Sequence, residues 1–213
     1  MGLKEIVKTT YLKIFPTYPV ELEKAVGTCK SLLDVGCGSS SPIKSFSNKI
    51  YSAGVDAFKP SIDKSKKLRI HNKYYQMTVL NINKFKPGSF DCVLASDLIE
   101  HLSKEEGIKL ILLMEKIAKE KVIIFTPNGF LPQGEYDKNP HQVYKSGWTA
   151  SEMKNRGYKV IGINGWKLLR GEYTSLKFKP NYLWRFISDI TQVFLRNNPE
   201  NAFQILCIKN KKQ

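Results

Sequence analysis

Three residues stand out by type and spacing: Asp34, Asp56 and His101. Asp34 sits in Leu32-Leu33-Asp34-Val35-Gly36-Cys37-Gly38-Ser39-Ser40-Ser41, an apolar run that breaks into a small-residue loop. A loop built for pyrophosphate does not place a carboxylate at its mouth, because the two anions repel. Asp34 therefore suits a ligand that carries positive charge. Gly36 and Gly38 have no Cβ, so the loop backbone is free to turn sharply and a ligand can approach it closely. Asp56 follows 22 residues later and ends a second apolar run, Gly54-Val55-Asp56-Ala57-Phe58. A carboxylate there can accept two hydroxyl hydrogen bonds at once, which is what a ribose offers. His101 closes Asp97-Leu98-Ile99-Glu100-His101-Leu102. It titrates near neutral pH and can take a proton from a hydroxyl or an amine. A structural histidine that caps the loop before Ser103 is an equal reading, with Glu100 facing solvent. His141, Tyr136 and Tyr144 lie in a later loop and are either substrate contacts, with His141 a second base, or surface residues.

The elements that must position these groups alternate. Ser31–Gly36, Tyr51–Asp56, Tyr74–Leu80, Phe90–Ser96 and Lys121–Thr126 read as strands, and the glycine loop reads as opening a helix. The best helix is 104–119, where Ser103 and Glu106 form a capping box and Ile108, Ile111 and Leu112 mark an apolar face. Thr149 and Glu152 repeat the box, and Gly157 ends that helix in the left-handed region. Alternation of this kind predicts a doubly wound α/β sheet, mostly parallel. Residues 1–28 carry no strand signal and read as two short helices capping the entrance. Tyr158–Ile163 and Ala202–Lys209 read as the last two strands. Residues 164–201 between them are too long for a hairpin and contain an amphipathic helix over 181–197, with Leu183, Phe186, Ile187, Ile190, Val193 and Phe194 on one face. That helix reads as packed on the domain by this face, or else as a lid or membrane-surface element.

At this point the chain resembles the class I S-adenosylmethionine (SAM)-dependent methyltransferases. The resemblance rests on Leu33-Asp34-Val35-Gly36-Cys37-Gly38, Gly54-Val55-Asp56, Ser89 through Leu102, Phe125-Thr126-Pro127-Asn128-Gly129 and Ser146-Gly147-Trp148-Thr149, which together span residues 31–160. SAM bears a sulfonium and an ammonium and no phosphate, in keeping with Asp34. The resemblance implies a Rossmann-like sheet with an antiparallel last strand. It implies SAM as cofactor and S-adenosylhomocysteine as product. Implied cofactor contacts are Asp34, Gly36, Cys37, Gly38, Asp56, Ala57, Asn81, Ile82, Ser96, Asp97 and Leu98, with His101 on the acceptor side. Ser40 replaces the usual third glycine, and Asn81 stands where the family often has Asp. The segment Ser96-Asp97-Leu98-Ile99 lacks the Pro-Pro pair of amino-methylating DNA enzymes. Cys92 lies inside an apolar strand, not in the Pro-Cys setting of cytosine-C5 enzymes. Asp97 with Asn128 makes two oxygen ligands without a third acid, so no metal is expected.

Composition sets wide bounds. With 213 residues, 42% hydrophobic and 25% charged, the chain reads as one globular domain without a membrane span. Cys29, Cys37, Cys92 and Cys207 show no metal or redox spacing, which points to free thiols and a reducing, cytoplasmic setting. The formal net charge of +15 is the outlier. It reads mainly as a solvated lysine-rich surface, and only secondarily as attraction to nucleic acid. The preferred acceptor is a small molecule. An RNA or protein acceptor and a non-catalytic SAM-binding role are the alternatives.

Overall fold

The computed structural model describes residues 2–132, 140–171 and 174–211. Tyr136 falls outside them. Its centre is a sheet of seven strands: β1 (Ser31–Val35), β2 (Tyr51–Asp56), β3 (Lys73–Gln76), β4 (Phe90–Ser96), β5 (Ala118–Pro127), β6 (Lys159–Trp166) and β7 (Ala202–Asn210). Their order is β3-β2-β1-β4-β5-β7-β6. Strands β1 to β5 pair in parallel, and β7 runs antiparallel to both β5 and β6. The chain winds from β1 towards β3 on one side and from β4 onward on the other. In such sheets the crevice outside the carboxyl ends of the two central strands is the ligand position. Asp34 and Asp97 both lie there.

Side chains alternate across the sheet as the pleat requires. Leu33, Val35, Val93, Ala95, Val122 and Ile124 pack on one face, against Leu110, Ile111 and Met114 of α4 (Lys104–Ile117). Leu32, Leu94, Ile123 and Phe125 pack on the other, against Leu22, Ala25 and Val26 of α2 (Tyr18–Val26). Asp34 shares the face of Leu32. Among the described residues the remaining α-helices are α1 (Leu3–Ile14), α3 (Lys59–Lys67), α5 (Ala150–Asn155) and α6 (Asn181–Leu195). The Ser103–Glu106 capping box forms in both directions, and Gly157 takes φ 84°.

Several expectations need correction. No α-helix follows the glycine loop. Two 3-10 turns, Pro42–Ser45 and Ser47–Lys49, take its place, because Phe46 swings to φ −138° and no helix continues through that angle. Strand β3 stops at Gln76, and the chain winds as a 3-10 segment over Val79–Lys84. Helix α4 ends two residues early, since Ala118 already pairs with Phe90, and Leu112 points outward. Strand β6 extends to Trp166.

The largest correction concerns α6. Its buried residues are polar, Ser188 at 1% and Gln192 at 4% exposure, while Phe186 is 51% and Phe194 70% exposed. The helix lies on β6, which is an edge strand whose outer backbone groups need partners. Gln192 supplies them: its Oε1 accepts from Gly165 N at 2.8 Å and its Nε2 donates to Gly162 O at 2.7 Å. Thr191 Oγ1 accepts from Trp166 N at 3.0 Å. The approach is so close that a Cβ on Gly165 would stand 2.3 Å from Ser188 O.

Candidate active site

The loop after β1 is held from two sides. Gly36 N and Cys37 N donate to Val55 O at 2.8 and 2.9 Å. Gly36 (φ 70°) and Gly38 (φ 57°) occupy the left-handed region that favours glycine. At Gly36 the space is also closed, because an added Cβ would meet Leu98 Cδ1 at 2.6 Å. Asp56 does more than the sequence reading asked of it. One carboxylate oxygen accepts from Gly38 N at 2.9 Å and the other from Phe58 N at 2.8 Å, so Asp56 ties the glycine loop to the end of β2. Ser40 keeps negative φ, so its replacement of glycine carries no backbone strain.

Two connected lobes form the cleft. One, of 310 Å³, is lined by Gly36, Gly38, Asp56, Ala57, Thr78, Val79, Leu80, Leu98, His101 and neighbours that include His141, Gln142 and Lys145. The other, of 270 Å³, is lined by Asp34, Cys37, Ser39, Ser40, Ser41, Ser96 and Asp97 among others. Gly36, Gly38, Ser61, Asp97 and Gln142 border both. Nine of the eleven residues expected to contact the cofactor therefore meet in one place. Asn81 and Ile82 do not. Once β3 has ended, the 3-10 winding turns Asn81 out to solvent and Ile82 into the core, and Thr78, Val79 and Leu80 face the lobe instead.

The electrostatics of the cleft are anionic. Asp34 is 1% exposed and its Oδ2 has no hydrogen-bond partner. Burial pushes its carboxyl up to about 7, against the pull of a hydrogen bond from Ser41, and the Asp56 charge raises it further. Behind it stands His71, with Nε2 3.5 Å from Asp34 Oδ2 and Nδ1 3.3 Å from Ser52 Oγ. Burial lowers His71 to about 4, so this contact is not an ion pair at neutral pH. Gly54 makes the approach possible, since a Cβ there would lie 2.7 Å from the His71 ring and 2.9 Å from Cys37 Sγ. Asp97 follows β4 with φ 46°, a conformation uncommon outside glycine. Solvent reaches it through the cleft, yet the protein crowded around it pushes its carboxyl up to about 7, while an amide hydrogen bond from Gln204 Nε2 at 3.1 Å pulls the other way.

Glu100 does not face solvent. It is buried, its Oε2 accepts from Thr126 Oγ1 at 2.9 Å and its backbone oxygen accepts from Lys145 N and Ser146 N. Burial first, and the nearby Asp97 second, hold its carboxyl well above the usual carboxylate range. His101 is also buried. Its Nδ1 lies 3.3 Å from Val143 O and its ring meets Tyr144 edge-on at 4.9 Å. A carbonyl can only accept, so this contact assigns the proton to Nδ1 and leaves Nε2 as the basic nitrogen. Burial keeps the ring below its ordinary value and neutral.

Asn128 is fully engaged elsewhere. Its amide nitrogen donates to Pro199 O, Glu200 O and Ala202 O, and its oxygen accepts from Ala150 N. Trp148 is structural too: its Nε1 donates to Ile99 O at 3.2 Å and seats the loop against the Asp97–His101 turn. Cys37 abuts the cleft as packing, with its thiol pushed up by burial.

Four contributors escaped the sequence reading. Tyr18 of α2 stacks on Phe125 at 3.6 Å and donates to Ser96 Oγ at 2.8 Å, so the N-terminal cap reaches the cleft wall. His71, Gln142 and Gln204 are the others. None belongs to a periodic pattern, and each acts across elements distant in sequence. Beyond Asp97 a third cavity, of 190 Å³, is lined by Asp97, Pro127, Leu131, Tyr144, Thr174, Phe203 and Gln204.

Comparison with known proteins agrees with this geometry. Residues 33–125 match the family model described as a methyltransferase domain. A small RNA 2'-O-methyltransferase of Tetrahymena thermophila is 27% identical over 180 residues, covering 64% of this chain and 41% of that protein. The chain thus spans about two fifths of that curated relative. A SAM-dependent methyltransferase from Archaeoglobus fulgidus superposes with TM-score 0.60 at 18% identity, over 99% of this chain and 95% of that one. Magnesium protoporphyrin IX methyltransferase from Synechocystis PCC 6803, solved with bound SAM, superposes with TM-score 0.52 at 14% identity, over 98% and 79%. The matched residues are those that build the cleft between β1 and β4: over residues 33–125 the chain is similar to the methyltransferase-domain family, and its sheet has the fold of SAM-dependent methyltransferases.

Proposed function

We propose that this chain transfers the methyl group of SAM to a small, partly apolar acceptor held beyond Asp97. The observation that carries this reading is the 190 Å³ cavity, which is lined by Pro127, Leu131, Tyr144 and Phe203 together with Asp97, Thr174 and Gln204. In the same reading the lobe lined by Val79, Leu80 and Leu98 takes the adenosine, with Asp56 accepting from the ribose hydroxyls. The second lobe takes the methionine end. Its ammonium answers the Asp34 and Asp97 carboxylates, and its carboxylate meets the hydroxyls of Ser39 to Ser41. Methyl transfer from a sulfonium is an in-line displacement, so alignment is the main demand and can supply about 7–11 kcal/mol at best. His101, neutral and with Nε2 basic, takes the acceptor's proton where one must leave.

The test begins with calorimetry of SAM, S-adenosylhomocysteine and NAD. Radiolabel from methyl-labelled SAM is then followed into small-molecule fractions and into RNA. Label recovered in small molecules supports the reading, and label recovered only in RNA replaces it. A second reading, an RNA acceptor, draws on the RNA-methylating relative and on the +15 charge. Counterion release then requires RNA affinity to fall steeply as salt rises.

A further inference from the structure

Helix α6 is docked with its polar side inward, which leaves an apolar stripe on the outside of the molecule. Tyr182, Phe186, Ile190 and Phe194 recur at intervals of four, so they lie along one line of the helix, with Leu183 and Val193 beside them. Their exposures run from 38% at Ile190 to 79% at Tyr182. Such a contiguous patch on a folded domain marks a contact surface. The flanks say what kind. Phe178 packs on Trp184 at 4.7 Å just before and within the first turn of α6, and Trp166 is exposed nearby on β6. Aromatic rings that are apolar at one end and polar at the other concentrate where lipid meets water. Lys177, Lys179 and Arg185 are exposed around the same end, and the chain as a whole carries +15. The acid on α6, Asp189, is held by the Tyr11 hydroxyl of α1. With 15 residues α6 is too short to cross a bilayer and long enough to lie on one.

We infer that the outward face of α6 docks this methyltransferase on an anionic lipid surface. The occupant is lipid, and not a second copy of the chain, because the apolar stripe is bordered by cations and interfacial aromatics, and like-charged borders would meet across a two-fold contact. Docking has a consequence for the acceptor, which rests on the small-acceptor reading above. A cavity of 720 Å³ runs along the polar side of α6, lined by Asn181, Arg185, Asp189 and Gln192, and reaches the apolar stripe at Tyr182; Thr174 borders both this cavity and the one beyond Asp97. Docking by this face would set both cavities close to the bilayer surface, within reach of an acceptor held there.

Co-sedimentation of the full chain with vesicles tests the docking without reference to catalysis. Neutral phosphatidylcholine vesicles are compared with vesicles containing about one third phosphatidylglycerol. The expected result is at least tenfold stronger binding to the anionic vesicles, weakened by salt, with a blue shift of tryptophan emission. Phe186→Asp with Phe194→Asp should abolish binding and leave the melting curve and SAM affinity near wild type, because both rings point away from the sheet. Should that pair unfold, Phe194→Ser alone should still weaken binding severalfold. Lys177→Glu with Lys179→Glu should remove the preference for anionic lipid. Absence of sedimentation with anionic vesicles at low salt overturns the inference. So does a wild-type dimer in analytical ultracentrifugation that Phe186→Asp with Phe194→Asp converts to monomer.

Discussion

Replacing Asp34 by Asn should stabilise the apo protein and destroy SAM binding. The carboxyl is fully buried and its acidity is displaced from 3.8 to about 7, chiefly by desolvation. The folded-state value is raised, so between about pH 4 and pH 7 the folded chain holds a proton that the unfolded chain has lost. Stability therefore falls as pH rises through that window, and the full cost stands above it. A displacement of this size corresponds to about 4 kcal/mol. An amide in the same place still has to be buried, which returns about 1–2 kcal/mol. The net expectation is a gain of about 2 kcal/mol at pH 8, or roughly 4–8 °C in melting temperature for a chain of this length. At pH 5 the wild-type carboxyl is mostly protonated and nearly isosteric with the amide, so the two proteins should melt together. Wild-type melting should rise with SAM, more so at pH 8 than at pH 6, because the ammonium needs the ionised carboxylate. The variant should not respond. Scanning fluorimetry of both proteins at three pH values, with and without SAM, reads all of this. A lower melting temperature for the apo variant at pH 8 would show that Ser41 and His71 stabilise the charged carboxylate, and the argument from burial would fail.

Asp56→Ala removes an acceptor from Gly38 N and Phe58 N as well as from the ribose, and should weaken SAM by about 2 kcal/mol, roughly 30-fold; unchanged calorimetry would refute the ribose assignment. His101→Ala should lower turnover by about 10²-fold while SAM affinity stays within roughly threefold. Because burial holds His101 below its ordinary value, the wild-type rate at saturating SAM should be flat around pH 7–8 and fall only on the acid side of the usual histidine range. Gly165→Ala combines φ 70° with a Cβ 2.3 Å from Ser188 O and should cost about 2–4 kcal/mol, read as new proteolytic cleavage between 167 and 201 with the sheet preserved.

The central strands were legible for a physical reason. Strands β1, β2, β4 and β5 have sheet neighbours on both sides and interior faces packed on both sides, so they appear in the sequence as short apolar runs ending in small or acidic residues. The lining of the cleft was legible to the same extent, because Asp34, Asp56 and Asp97 are placed by where those runs stop. β3 was less so. It is an edge strand of four residues with no fully buried side chain, and its apolar continuation belongs to the 3-10 winding that follows. A strand keeps a period of two where this winding has gone to three, which is why Asn81 and Ile82 do not line the lobe. His71 and Gln204 carry no local signal at all. Their importance arises when Gly54 lets an imidazole approach β1, and when the antiparallel β7 brings residue 204 beside residue 97.

α6 separates what periodicity can tell from what it cannot. A stripe of apolar residues at helical spacing fixes that a helix has two unlike faces. It does not fix which face meets the protein, because that depends on what the protein offers. A sheet face offers apolar side chains and takes the apolar stripe, as α4 shows. A sheet edge offers backbone N–H and C=O groups, and leaving one of them buried without a partner costs about 1–3 kcal/mol. Strand β6 is such an edge, and Gly162 and Gly165 leave its backbone bare at the contact. Gln192, Thr191 and Ser188 can pair with that backbone, and Phe186 and Phe194 cannot. The polar face therefore turns inward, and the apolar face is left for a partner outside the chain.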